Sequence, residues 1–141
     1  MPARPAAIDT NVVVSGLISA NRDAPTCAIL DGMIDGQFVF LLSQPLLAEY
    51  REVLLRPKIR KLHGLTEEEV DTVLTEIALN GAVRTPALSA EKAPDLEDQH
   101  LWDLVLSEPG AVLVTGDRLL LENPAVRTLS PAEFVRAATD S

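Results

Sequence analysis

Four acidic residues stand at positions from which a folded chain could bring their carboxylates together. Asp9 ends a short apolar run near the N-terminus, and Asp117 follows a stronger apolar run. Asp98 starts a helical pattern, and Glu49 lies on the edge of the apolar face of an earlier one. Two carboxylates at ~4 Å and an effective dielectric constant of ~20 repel each other by about 4 kcal/mol. A fold that collects all four therefore needs a cation between them.

The available ligand types favour a hard divalent cation. The single cysteine, Cys27, excludes a disulfide within the chain and a multi-cysteine zinc site, and we expect it to be buried in a helix. The only imidazoles are His63 and His100, which we expect on the surface. Carboxylate oxygens suit Mg²⁺ or Mn²⁺. Two such ions about 3.5–4 Å apart activate water and stabilise an in-line displacement at phosphorus.

The neighbouring acids allow other interpretations. Asp95 could cap the helix that begins near Asp98, or it could stand at the outer edge of a metal site. Asp103 is turned about 140° from Asp98 on a helical wheel, and we expect it to be solvated. Taken singly, Asp9, Asp117 and Glu49 could also be ordinary solvated residues.

Short apolar runs alternate with helical patterns along the chain. Because two of these runs are continuously apolar, the alternation predicts a parallel sheet covered by helices on both faces. If the strand order reverses about the first strand, the first and fourth strands lie side by side and their acids face one crevice. The runs predict five strands, the last at an edge, at residues 6–8, 38–42, 82–85, 111–115 and 126–129.

Residues that favour helix starts mark the intervening helices. We place the segment from Val12 to Val14 in a first helix, although its residues favour strands. Further helices are predicted after the Ser43 cap, between Thr66 and Gly81 with a Thr66–Glu69 capping box, from Asp98 to Ser107, and after Ser130.

Composition and length predict one globular domain over residues 1–141. The chain is 47% hydrophobic and 23% charged, with a formal net charge of −9 and a pI near 4.6. So acidic a chain is a poor candidate for unaided binding of nucleic acid through its net charge. It has no apolar run of the roughly 20 residues that a membrane span needs, and residues 1–5 do not resemble a signal peptide. We therefore expect a soluble cytoplasmic protein.

Four segments, in this order, resemble the PIN-domain nucleases, most closely the branch described as toxin components of bacterial toxin–antitoxin pairs. They are Ile-Asp-Thr-Asn-Val at residues 8–12, Leu-Ala-Glu-Tyr at 47–50, Pro-Asp-Leu-Glu-Asp at 94–98 and Leu-Val-Thr-Gly-Asp at 113–117. The resemblance covers about residues 5–136. It implies a three-layer α/β/α sandwich with a central parallel sheet of about five strands. It also implies metal-dependent cleavage of single-stranded RNA, frequent homodimers and often a small basic antitoxin partner.

The resemblance also implies which residues act. It gives metal binding and catalysis to four acids: Asp9, Glu49, Asp98 and Asp117. It gives supporting positions to three polar residues: Asn11, Ser15 and Thr115. This chain has both Asp95 and Asp98 where other branches differ, so both stay candidates for the third ligand.

An RNA substrate would need local basic residues, because two divalent ions would move the formal charge only from −9 to about −5. The RNA-binding candidates are Arg56, Lys58, Arg60, Lys61 and Arg118. The alternative for residues 56–61 is a solvated helix end, where cations suit the helix dipole. Aromatic residues are too scarce for a base-stacking platform, and we expect Trp102 in the core.

Other function classes fit the acids less well. A phosphatase with an aspartate nucleophile would need a second acid two residues after the first, where Asn11 stands. A phospho-acceptor receiver domain would need an aspartate at the end of the third strand, where Arg84 and Thr85 stand. A module of this fold that acts only by binding a partner would not need all four acids.

Overall fold

Five short strands form a parallel sheet at the centre of the fold. The strands are β1 (Ala6–Ile8), β2 (Phe40–Leu42), β3 (Ala82–Val83), β4 (Val112–Val114) and β5 (Thr128–Leu129). Their order is β3-β2-β1-β4-β5, and every neighbouring pair is parallel. The first and fourth strands are therefore adjacent as predicted, with Ile8 opposite Val114. Each strand except β1 is shorter than its apolar run.

The structure is a computed structural model that describes residues 4–123 and 125–139. Residues 1–3, Pro124 and residues 140–141 lie outside the described residues. Residues 1–3 are part of the N-terminal segment that we predict not to be a signal peptide. No helix in the described ranges is long and apolar enough to cross a membrane. One domain over residues 1–141 stays a prediction.

Helices cover both faces of the sheet and complete the predicted α/β/α sandwich. The α-helices of the described residues are α1 (Thr10–Ile18), α2 (Pro25–Asp35), α3 (Gln44–Leu54), α4 (Pro57–His63), α5 (Glu67–Asn80), α6 (Gln99–Leu106), α7 (Arg118–Leu121) and α8 (Pro131–Thr139). A short 3₁₀ helix, Leu96–Asp98, leads into α6. The sequence analysis placed Cys27 in a helix without giving that helix bounds, and it did not predict α4 or α7 as separate helices.

The predicted helix starts are present in the structure. The Ser43 hydroxyl accepts a hydrogen bond from the Leu46 N–H, which caps α3. Thr66 and Glu69 form the reciprocal capping box of α5. The segment from Val12 to Val14 is helical and buried, because its apolar side chains face the sheet core although their intrinsic preference is for strands. Two further predictions are confirmed: Cys27 is buried in α2, and Trp102 is fully buried in α6.

The prediction that Asp103 is solvated is wrong. Its side chain is only 7% exposed, and its Oδ1 accepts hydrogen bonds from the Ser89 N–H at 2.9 Å and from Gln99 Nε2 at 3.1 Å. Gln99 in turn accepts from the Ala93 N–H. Asp103 points away from the apolar stripe, but the loop at residues 89–93 contacts that side of α6. A helical wheel cannot show such a covering loop.

The expectation that both histidines are surface residues is also wrong. His63 is half-buried: its Nδ1 accepts from the Leu65 N–H at 2.9 Å, so its Nε2 carries the proton and donates to the Leu54 carbonyl at 2.8 Å. This imidazole ties the end of α3 to the end of α4. His100 is half-buried as well, against Glu49.

Candidate metal centre

A cavity of about 430 Å³ opens at the carboxyl ends of β1 and β4. Three of the predicted acids line it: Asp9, Asp98 and Asp117. Asp9 directly follows β1, and Asp117 lies three residues after β4. Because the two strands are parallel neighbours, their ends meet at one edge of the sheet. Asp98 reaches the same cavity from the junction of the 3₁₀ helix and α6.

Asp9 is held rigidly in the floor of this cavity. It is 6% exposed, and its Oδ2 accepts hydrogen bonds from Thr115 Oγ1 at 2.7 Å and from Asn11 Nδ2 at 3.2 Å. Burial raises the pKa of Asp9, and the charges of Glu49 and Asp117 act in the same direction, against the hydrogen bonds. The carboxylate is thus fixed in place while its negative charge is disfavoured.

Thr115, Asn11 and Ser15 are the predicted supporting residues. Thr115 is fully buried and joins two acids, because its hydroxyl donates to Asp9 and accepts from the Asp117 N–H at 3.0 Å. Asn11 and Ser15 line the cavity. The Ser15 hydroxyl lies 3.2 Å from the Thr26 hydroxyl, which links α1 to α2.

Asp117 also caps a helix. Its Oδ1 accepts from the Leu119 N–H at 2.9 Å at the start of α7. One carboxylate oxygen is therefore engaged in orienting the side chain. The backbone of the turn after β4 thus sets the orientation of the Asp117 carboxylate.

Asp98 shows the electrostatic cost of the cluster most clearly. Its pKa is raised to about 6, first by burial and then by the charges of Asp9, Asp95, Glu49 and Asp117. Within the described ranges, no lysine or arginine forms a salt bridge with the three acids that line the cavity. The imidazole of His100 interacts electrostatically with Asp9 and Asp98, so the protein compensates the charges of the cluster only in part.

Glu49 lies beside this cavity and not in it. It lines an adjacent cavity of about 540 Å³, and Val53 belongs to the walls of both. Its Oε2 accepts from the Thr10 hydroxyl, and its Oε1 lies 3.3 Å from His100 Nε2. The His100 hydrogen bond lowers the pKa of Glu49, and the same contact raises the pKa of His100.

Sequence reasoning missed Thr10 and His100 as partners of Glu49. His100 lies 51 residues from Glu49 along the chain, so no local pattern connects them. The available signal was their position beside predicted acids. Thr10 directly follows Asp9, and His100 lies two residues after Asp98.

Asp95 has the capping geometry that the sequence allowed. Its Oδ1 accepts from the Glu97 N–H at 3.0 Å at the start of the 3₁₀ helix. It lines neither of the two cavities, although its charge contributes to the raised pKa of Asp98. Asp95 thus acts on the cluster from outside.

The predicted basic segment forms a helix of its own, α4, after an N-cap at Arg56. Arg56 lines the second cavity and is paired with Glu52 at 3.1 Å. The other three cations are exposed on α4: Lys58, Arg60 and Lys61. Arg118 is exposed at the first position of α7, next to Asp117.

The donor types in the first cavity fit a hard divalent cation. Its three charged groups are carboxylates that, among the described residues, form no salt bridge with lysine or arginine. A cation would relieve the repulsion that, after burial, raises the pKa of Asp98. Among the described residues, however, no three histidine, cysteine, aspartate or glutamate side chains are close enough to hold one ion as they stand. Side chains would have to rotate to bind it.

Comparison with protein families matches most of the chain to one of them. The family model described as the PIN domain matches residues 5–119, a range that contains β1 to β4 and all four predicted acids. No curated protein matches the chain.

Proposed function

Because this chain belongs to the PIN domain family, whose members are generally nucleases, we propose that it is a Mg²⁺- or Mn²⁺-dependent endoribonuclease. It hydrolyses phosphodiester bonds of single-stranded RNA. One observation carries the proposal: three aspartates that form no salt bridge with any lysine or arginine in the described ranges line one cavity, and the pKa of one of them is raised to about 6. Repulsion among crowded carboxylates destabilises the fold, and a bound cation relieves this repulsion.

The proposed ligands and catalytic residues are four acids: Asp9, Glu49, Asp98 and Asp117. When bound, one or two divalent ions supply an activated water and charge neutralisation at the scissile phosphate. Asp9 is oriented for this role by Thr115 and Asn11. Asp98, whose pKa is raised to about 6, is ionised at neutral pH and can offer charged oxygens to the ion.

Glu49 and Asp95 have different parts in this proposal. Each carboxylate oxygen of Glu49 makes one hydrogen bond, to Thr10 or to His100, and keeps a lone pair for the ion. Thr10 and His100 are therefore positioning residues. Asp95 keeps its cap and adds negative charge from outside the cavity.

The basic helix α4 and Arg118 are the proposed RNA contacts. A net charge of −9 repels an RNA strand at long range, so phosphates need local cations. Arg56 stands at the start of α4 and also lines the cavity next to the acids. An RNA strand could therefore run from the acids across the second cavity to α4.

We further propose that the protein is the toxin of a bacterial toxin–antitoxin pair, acts in the cytoplasm, and assembles with itself and with a small basic antitoxin. The four segments that resemble this branch support the proposal. The strongly acidic pI of 4.6 is complementary to a basic partner.

The test is cleavage of a mixed RNA pool with Mg²⁺, with Mn²⁺ or with chelator. We expect wild type to cleave only with metal and Asp9→Asn to be nearly inactive. Asp23→Asn, at an exposed position between α1 and α2, is the matched control and should cleave like wild type. Cleavage that persists in chelator or in Asp9→Asn would contradict the proposal. A folded wild type without any cleavage would favour a module that acts only by binding a partner.

A further inference from the structure

The cavity next to the acids has walls of two kinds. Helix α3 contributes the apolar residues Pro45, Ala48 and Val53, and the charged or polar lining comes from Glu49, Glu52, Arg56, Glu97 and His100. The cavity volume of about 540 Å³ is within the usual range for small-molecule sites, roughly 300–1,000 Å³. The proposed function uses Glu49, His100 and Arg56 of this cavity, so its apolar residues and Glu97 have no role there.

Glu97 and Arg56 also line this cavity, and they offer a hydrogen-bond acceptor and hydrogen-bond donors at its rim. Glu97 is exposed, and within the described part of the chain no hydrogen bond or ion pair reaches its carboxylate. Arg56 is held by Glu52, which accepts from a single guanidinium nitrogen, Nη2, at 3.1 and 3.2 Å. A guanidinium has five N–H groups, so Arg56 keeps donors for a ligand.

We propose that this cavity is a nucleobase pocket beside the candidate metal centre and that it prefers guanine. This proposal rests on the proposed ribonuclease activity and names a base of its substrate. The flat base packs on the wall of Pro45, Ala48 and Val53. The adjacent donors of guanine, N1–H and N2–H, bind the Glu97 carboxylate. Its acceptors O6 and N7 bind Arg56, the commonest specific arginine–guanine contact.

The other bases match this rim less well. A carboxylate offers only acceptors, and guanine alone presents two adjacent donors on its Watson–Crick edge. Adenine and cytosine present one donor beside an acceptor, and uracil presents one donor between two acceptors. In each of these bases an acceptor would face the carboxylate, and an unmatched polar contact is costly. A good bidentate pair discriminates by about 5- to 150-fold, and an exposed rim should give the lower end.

The test is a titration of the full-length chain, in chelator, with the 5′-monophosphates of guanosine, adenosine, cytidine and uridine, followed by amide chemical shifts in NMR spectra. Ribose 5-phosphate is the probe without a base. We expect the guanosine nucleotide to bind at least about fivefold more tightly than the other three, with ribose 5-phosphate weakest. The shifted amides should belong to α3 and to residues around Glu97.

Glu97→Gln separates hydrogen bonding from general charge. It removes one negative charge, which by itself would strengthen binding of every nucleotide. We expect it to weaken guanosine monophosphate several-fold while uridine monophosphate binds as well or better. Glu68→Gln, on an exposed residue of α5 that lines neither cavity, should leave the order of affinities unchanged.

The outcomes distinguish this proposal from the one it rests on. Equal binding of the four nucleotides, or no binding at millimolar concentration, overturns the guanine pocket even where wild type cleaves RNA with metal. Preferential guanosine binding that survives in Glu97→Gln also overturns it. Preferential binding lost in Glu97→Gln supports the pocket, and a simultaneous failure to cleave RNA would then count against the ribonuclease activity alone.

Discussion

The cost of the crowded carboxylates can be measured at Asp98. Its pKa is about 6 in the metal-free fold and 3.8 without the fold's influence, so the folded state binds this proton more tightly than the unfolded state. The stabilisation that this proton contributes is therefore fully present below pH 3.8 and is lost as the pH rises through about 6. At 1.36 kcal/mol per pKa unit the loss is about 3 kcal/mol. Partial exposure of the side chain screens these charges and reduces the loss to about 1–2 kcal/mol.

Asp98→Asn should remove this loss. We expect the variant to be more stable than wild type by about 1–2 kcal/mol above pH 7 and equally stable near pH 3.5, because a protonated aspartate and an asparagine are both neutral. The assay is urea unfolding in chelator across this pH range. Trp102 is the only tryptophan and is fully buried, so its fluorescence reports unfolding.

Asp23→Asn is the matched control, since Asp23 is exposed and lines neither cavity. Its difference from wild type should stay near zero at every pH. If the Asp98→Asn difference were the same at pH 3.5 and pH 8, the side chain would act through contacts and not through its charge. The hypothesis that these clustered acids require a cation would then be wrong.

Three further predictions concern the cation, the basic helix and the covering loop. Mg²⁺ at ~100 times its dissociation constant should stabilise wild type by about 2.7 kcal/mol in thermal melts. It should stabilise Asp117→Asn distinctly less, and no gain in wild type would refute a shared cation site. Alanine at four basic positions should weaken RNA binding and reduce the slope of log affinity against log salt by up to about 2.8, whereas an unchanged slope would mean a solvated helix. These positions are Arg56, Lys58, Arg60 and Lys61. Asp103→Ala should cost about 1–3 kcal/mol and increase hydrogen exchange at Ser89, and unaltered exchange there would contradict the anchoring role.

Local signals in the sequence were sufficient for the parts of the fold that depend on neighbours in the chain. The caps at Ser43 and Thr66 need only residues three positions away, and both formed as predicted. The adjacency of β1 and β4 followed from a general rule of sheet topology, and it led to Asp9 and Asp117 lying at one edge. What these residues do stays a prediction.

Contacts across long stretches of chain were not predictable in this way. Asp103 is covered by a loop whose path no helical periodicity describes, and Glu49 is held by His100, 51 residues away. Helix α2 has apolar residues that contact α1, α5 and α8, and its pattern is understood only once those surfaces exist. Tertiary packing therefore decided the features that the sequence left open.

Because the hydrogen bond between Thr115 and Asp9 joins distant parts of the chain, the acid cavity can form only late in the synthesis of residues 9–115. The two residues are 106 positions apart, and the same threonine also orients Asp117. A nascent chain that ends before residue 112 has Asp9 and β2 but lacks β4 and the hydroxyl that orients Asp9. At about 5–20 residues per second, roughly 5–20 s of synthesis separate Asp9 from Thr115. During this interval the nascent chain carries Asp9 but cannot form the site next to the messenger RNA that encodes it.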